Sequence, residues 1–194
     1  MDRFARHSRR AALALLVALP LAVAGGCSIL PFAAYLIKGI STPADFNGLK
    51  GKKVAVICRP VASLQYQSSS VATELAQRVA DLLAEHVAKI EIVDQGEVEK
   101  WEDENNWEEY TDIGKALQAD MVVGIDLDQF SLSQGQTLYQ GKASIDLAVY
   151  DMKHGKRPVF QKMLPQQLYP PNAPIPAAEK SLVEFRQQFL QVLA

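Results

Sequence analysis

Two cysteines and three histidines are all that the 194 residues contain. A zinc site needs about four N or S ligands at close spacing, so Cys27 and Cys58 do not make one. A serine or cysteine nucleophile needs a base within hydrogen-bond reach, and few candidates exist. His7 lies at the start of the chain. His86 falls near the end of an expected helix, where a cationic or snorkelling surface role fits. His154 sits beside Gly155 in the turn DMKHGKR. GxSxG, HExxH and a Gly-rich phosphate loop are all missing. An excess of positive charge is missing too, the formal net charge being −2. Residues 1–26 hold Arg3, Arg6, Arg9 and Arg10 against Asp2, and the remainder has 16 basic and 21 acidic side chains, a net of −5. Nucleic-acid binding rests on phosphate neutralisation by Lys and Arg, so that partner is excluded. The chain reads as a protein that is not an enzyme and that carries no cofactor.

A hydrophobic content of 48% with a mean hydropathy of −0.02 implies a packed core, neither disorder nor a multi-span membrane protein. The length suits one domain plus a leader. MDRFARHSRR is a basic n-region, followed by the apolar AALALLVALPLAVA and small residues before Cys27, the pattern of an export signal. The segment AGGC resembles the lipobox of bacterial lipoproteins, with Ala24 where Leu is usual and Gly25 and Gly26 at the small positions. That resemblance implies cleavage after residue 26 and acylation of Cys27. Ser28 in place of Asp then implies sorting to the outer membrane. The competing reading is a single-pass anchor over residues 11–37, which carry no charge and exceed the ~20 apolar residues a spanning helix needs. Either arrangement leaves the soluble part on the periplasmic side.

Residues 27–50 are expected to form the lipidated N-terminus and tether, and residues 51–194 an α/β domain. KKVAVIC is a near-continuous β-branched run, as in a strand buried on both faces. After the loop RPVASLQYQSSS, the residues Val71, Leu75, Val79, Leu82, Leu83 and Val87 recur at helical spacing, with Ser68, Ser69 and Ser70 placed to supply an N-cap. KIEIVD is a second short strand, completing a right-handed β-α-β unit. YTDIGKALQAD predicts a short helix with Ile113, Ala116 and Leu117 inward. MVVGIDLDQF is the third strand, GQTLYQGKASIDLAVYD a long alternating fourth, and PVFQKML its hairpin partner. The fold class is therefore α/β, a mixed sheet of about five strands with helices packed on it. Residues 163–177 are expected to be a Pro-rich loop with little ladder pairing, having five prolines in PQQLYPPNAPIP. Residues 178–194 predict a C-terminal helix with the stripe Leu182, Phe185, Phe189 and Leu193. It reaches Ala194 without a stop signal, so it either frays or continues in the natural protein.

Residues 94–112 concentrate nine acidic side chains around one Lys, with Trp101 and Trp107 six residues apart. Each Trp either packs a surface helix onto the domain or presents an aromatic and acidic patch to a partner. Tyr169 in the proline stretch is a third candidate contact. Asp120, Asp126 and Asp128 bracket the third strand, where carboxylates could hold Mg²⁺ or Ca²⁺ or could equally be strand-end and loop residues.

The order of these elements resembles a group of envelope domains: CsgG-type secretion lipoproteins, LpoB-type activators of penicillin-binding proteins and the N-terminal domain of TolB. GKKVAVICRP, IEIVD, LQADMVVGI and the turn from Asp151 to Gly155 carry the resemblance, over residues 51–161. It implies backbone roles for Gly124 and Gly155 and no catalytic residues. The function implied is a membrane-anchored lipoprotein that binds an envelope protein as a non-catalytic adaptor in envelope assembly or secretion. The alternatives are a metal-dependent hydrolase using Asp120, Asp126 or Asp128, and a structural subunit of an oligomeric export complex.

Overall fold

A computed structural model describes residues 44–60 and 65–194, the side chains of 65–69 excepted. Cys27 and the candidate span 11–37 lie outside these residues. Strand β1 (Lys53–Pro60) is the middle of the parallel part of the sheet. Its residues from Val54 to Cys58 are all buried, which is why the run lacks polar alternation. It pairs parallel to β2 (Glu91–Ile92) on one side and to β3 (Met121–Gln134) on the other. Three helices connect them: α1 (Gln65–His86), α2 (Gln95–Glu104) and α3 (Tyr110–Ala116). The chain then makes β4 (Leu138–Asp151), β5 (Phe160–Met163), β6 (Gln167–Tyr169), β7 (Ile175–Pro176) and α4 (Leu182–Leu193). The main path is β2-β1-β3-β4-β5, a mixed sheet of five strands with helices on it, and β6 and β7 also pair with β4.

Strand alternation divides the core in two. Val54, Val56 and Cys58 face α1 and α4, with Leu75, Ile145, Phe189 and Leu190. Ala55 and Ile57 face α2 and α3, with Val98, Tyr110 and Ile113. Phe185 and Phe189 are wholly buried, and Phe189 lies over Gly141, where an added Cβ would come within 2.6 Å of the ring. Burying such rings is among the largest single contributions to a core, ~3 kcal/mol each at the upper end.

Several expectations are corrected. Helix α1 starts at Gln65 and absorbs the three serines expected to cap it, since Gln and Tyr before them are adequate helix formers. Leu82 is 40% exposed at the margin of its stripe. Helix α3 buries Tyr110, Thr111, Ile113 and Gly114 and leaves Ala116 exposed, because its inward face begins one turn earlier. On α4 the inward face is Phe185, Phe189 and Leu190, capped by Ser181 accepting from the Glu184 N–H, while Leu182 is exposed. Phe46 and Leu49 pack into the core, so the folded unit begins at Phe46, ahead of Gly51.

The Pro-rich stretch does pair. Strands β5, β6 and β7 succeed one another along one edge of β4, opposite residues 146–149, 141–143 and 138–139. Val159, Leu164 and Ala177 donate to Val149, Ile145 and Thr137 between these segments, at 2.7, 3.0 and 2.8 Å. Proline removes only its own N–H, so an edge segment with prolines spaced apart still forms short ladders. Gly155, at φ +81°, turns β4 toward β5 in a conformation that L side chains rarely adopt.

Candidate functional site

The order β2-β1-β3 reverses the direction of connection at β1, and the carboxyl ends of parallel strands at such a reversal are where open α/β sheets bind ligands. Arg59 lies there. Alternation turns it to the α2 and α3 side, and the β1–β3 register sets it beside Asp126. Its Nε donates to Asp126 Oδ1 at 2.8 Å and its Nη1 to the Glu108 carbonyl at 3.0 Å. The same Asp126 oxygen accepts from the Tyr110 hydroxyl at 2.8 Å. The guanidinium carbon stands 4.8 Å from the Tyr110 ring centre and 5.7 Å from that of Trp107. Tyr110 in turn packs on Trp107 and Tyr150, at 5.6 and 5.5 Å. Gly124 makes this possible: a Cβ there would sit 2.9 Å from the Tyr110 ring. The Arg59 side chain keeps 40% of its surface open.

Burial is the largest single influence and works against the Arg59 charge, but the hydrogen bond to Asp126 together with the charges of Tyr110, Asp126 and Tyr150 holds the guanidinium above its usual range. Burial, followed by the Asp126 charge, pushes the Tyr110 phenol far up, so it stays a donor. Beside this cluster is a cleft of about 600 Å³ between the end of β1, α1 and α2, with Glu99, Glu102 and Asp103 on one wall and Trp107 at its side. Burial, then Asp103 and Glu99, raise Glu102 to about 7.

The described lining of the cleft includes the Ser70 and Thr73 hydroxyls and the Cys58 thiol. Cys58 lines the cleft, yet burial, followed by Asp126 and Glu102, pushes its thiol well above the usual cysteine range. His86 bonds the Leu82 carbonyl at 2.9 Å and His154 pairs with Asp151 at 3.0 Å, and neither lines the cleft.

Trp107 is brought to the Arg59 cluster, outside the helix that holds Trp101. Trp101 is half-buried on α2, against the second core. Tyr169 is turned onto α4, 5.9 Å from Phe185 and 6.3 Å from Phe189, rather than outward. Asp120 accepts the Lys53 N–H at 3.0 Å at the opposite end of the strands from Asp126. The exposed Asp128 is raised by burial, then by Asp146 and Asp126. The three aspartates therefore do not converge, and among the described residues no three His, Cys, Asp or Glu side chains gather as metal ligands. Sequence reasoning missed Arg59 and Tyr110. The available signal was an Arg ending a buried parallel strand, the one cation at the end of an apolar run. Among the described residues no helix is long and apolar enough to cross a membrane.

No family model and no curated protein matches the sequence. Solved structures do. The PelC dodecamer of Paraburkholderia phytofirmans aligns at 10% identity over 74% of this chain and 84% of its own, with a TM-score of 0.44. Lipoprotein GNA1162 of Neisseria meningitidis aligns at 9% identity over 73% and 94%, with a TM-score of 0.45. The LpoB C-terminal domain of Salmonella enterica aligns at 11% identity over 71% and 92%, with a TM-score of 0.39. Similarity at this level carries no information on role.

Proposed function

We propose that the chain is a membrane-anchored envelope lipoprotein whose α/β domain is a non-catalytic adaptor, docking an envelope protein through Arg59, Trp107 and the adjoining cleft. The observation that carries this reading is the half-open Arg59 guanidinium held over two aromatic rings and fixed by Asp126. Arg, Trp and Tyr are the residue types that dominate binding energy at interfaces, most of all when packed against one another. Anchoring is by acyl chains on Cys27, each buried CH₂ contributing ~0.8 kcal/mol, and the outer membrane is the destination that Ser28 favours.

Two measurements test the reading. Radiolabelled palmitate should enter the parent chain and not Cys27→Ala, with the label in the outer-membrane fraction. Crosslinked affinity capture from membranes should recover one envelope protein, and Arg59→Ala and Trp107→Ala should each reduce that recovery about tenfold. Equal recovery from all three chains would refute the docking site, and equal palmitate uptake would refute the anchor.

A further inference from the structure

The first turn of helix α4 is left partly uncovered. Phe185, Phe189 and Leu190 enter the core, whereas Leu182 and Val183, four and three residues before Arg186, stay open. Leu182 is 47% and Val183 64% exposed, unusual for apolar side chains so close together. Across from them are Phe130 and Leu132 of the far end of β3, and with the buried Val71 they bound a groove of about 400 Å³. None of its lining residues belongs to the cleft beside Arg59.

Arg186 supplies the groove's charge. Glu74 is shared by two cations: its Oε1 is 3.0 Å from Arg78, whereas its Oε2 is 3.7 Å from Arg186, too far for a hydrogen bond. Arg78 also donates to Gln187, and Glu184 is turned to Lys180. The Nε of Arg186 is buried with no hydrogen-bond partner among the described residues. Among the described residues two guanidinium groups thus share the one carboxylate of Glu74 at the edge of an apolar groove. The Arg186 side chain keeps 32% of its surface open, and a carboxylate is the group that a planar guanidinium fork fits best.

We propose that this groove docks a protein segment presenting adjacent apolar side chains followed by a carboxylate, the apolar pair covering Leu182 and Val183 and the carboxylate completing the pairing of Arg186. A membrane surface fits less well. Recognition of anionic lipid uses clusters of about four to eight basic residues, whereas among the described residues Arg186 is the one cation lining this groove and residues 27–194 are net −5.

Fluorescence polarisation on the full chain in mild detergent tests this, using labelled peptide pools with an apolar-apolar-Asp centre. Parallel pools carry apolar-apolar-Asn or Ala-Ala-Asp. The Asp pool is expected to bind saturably and both controls roughly tenfold more weakly. Arg186→Gln and the surface change Val183→Ser should each lose the same factor, Arg186→Lys less, and Arg59→Ala nothing. The proposal is overturned by equal binding of the three pools, by no binding, or by affinities indifferent to Arg186 and Val183. It is also overturned if monomeric dihexanoyl-phosphatidylglycerol binds in an Arg186-dependent manner while the peptides do not. Because Arg59→Ala separates the two surfaces, failure here is distinguishable from failure of the adaptor reading.

Discussion

Tyr110 lies flat over Gly124, so close that three of its ring carbons would be within 3.0 Å of any added Cβ. The ring cannot retreat, being held by Asp126 at its hydroxyl and by Trp107, Tyr150 and Arg59 around it. Gly124→Ala should therefore lower stability by about 1–3 kcal/mol, the usual cost of overpacking. Thermal unfolding measures this, and an unchanged midpoint would show that the ring moves freely.

Removing only the Tyr110 hydroxyl is a milder change. Tyr110→Phe deletes one of the two donors on Asp126 Oδ1 and should lower stability by about 1 kcal/mol. Asp126→Ala should have a larger effect, since it leaves both Arg59 and Tyr110 without that acceptor. A double-mutant cycle between positions 59 and 110 should show coupling, because both act on one oxygen. Strict additivity in denaturant titrations would contradict the shared-acceptor geometry.

The cleft carboxylate predicts a pH dependence. Glu102 titrates at about 7 in the folded chain against an ordinary 4.5, raised by burial and by Asp103 and Glu99. Below pH 4.5 it is protonated in both states and its favourable contribution is complete. As pH rises toward 7 the unfolded chain releases the proton first, so stability falls, and above 7 the deficit stays constant. Glu102→Gln should flatten this part of the profile. Thermal midpoints between pH 4.5 and 8 provide the check, and identical slopes for both proteins would reject the assignment.

The Cys58 thiol, buried and pushed up, should be inert in the native state. Thiol reagents should modify it only on the timescale of unfolding, and labelling at the rate of an exposed thiol in native buffer would contradict its burial.

What could be read from sequence followed the strength of local periodicity. VAVIC declared β1, and the alternation of Ile145, Leu147 and Val149 declared β4, because a side chain's face in a strand is fixed by parity. Gly124 and Gly155 were identifiable as backbone positions, but the ring that Gly124 admits was not, since Tyr110 reaches it from a different element. The Arg59–Asp126 pair was hidden for a similar reason: a register 67 residues apart leaves no trace in either segment. Trp107 stood out by its residue type, yet its partners did not. The pairing of β6 and β7 was obscured by their prolines, whose effect is confined to single donors. Tyr169 drew notice as an aromatic in an extended stretch, whereas the Phe185 and Phe189 rings that receive it lie on a later helix.

The succession of short strands on β4 has a kinetic meaning. Strands β3 and β4 are joined by three residues, so their hairpin closes locally and quickly, while β1 must find β3 across a separation of 67 residues. Strand β4 receives β3, β5, β6 and β7, so the C-terminal half assembles on an object made early. The most buried strand is then the late arrival: substitutions in the β3–β4 hairpin should slow refolding, and those in β1 should chiefly hasten unfolding. Stopped-flow chevrons would show the order, and a β1 series acting mainly on the refolding limb would reverse it.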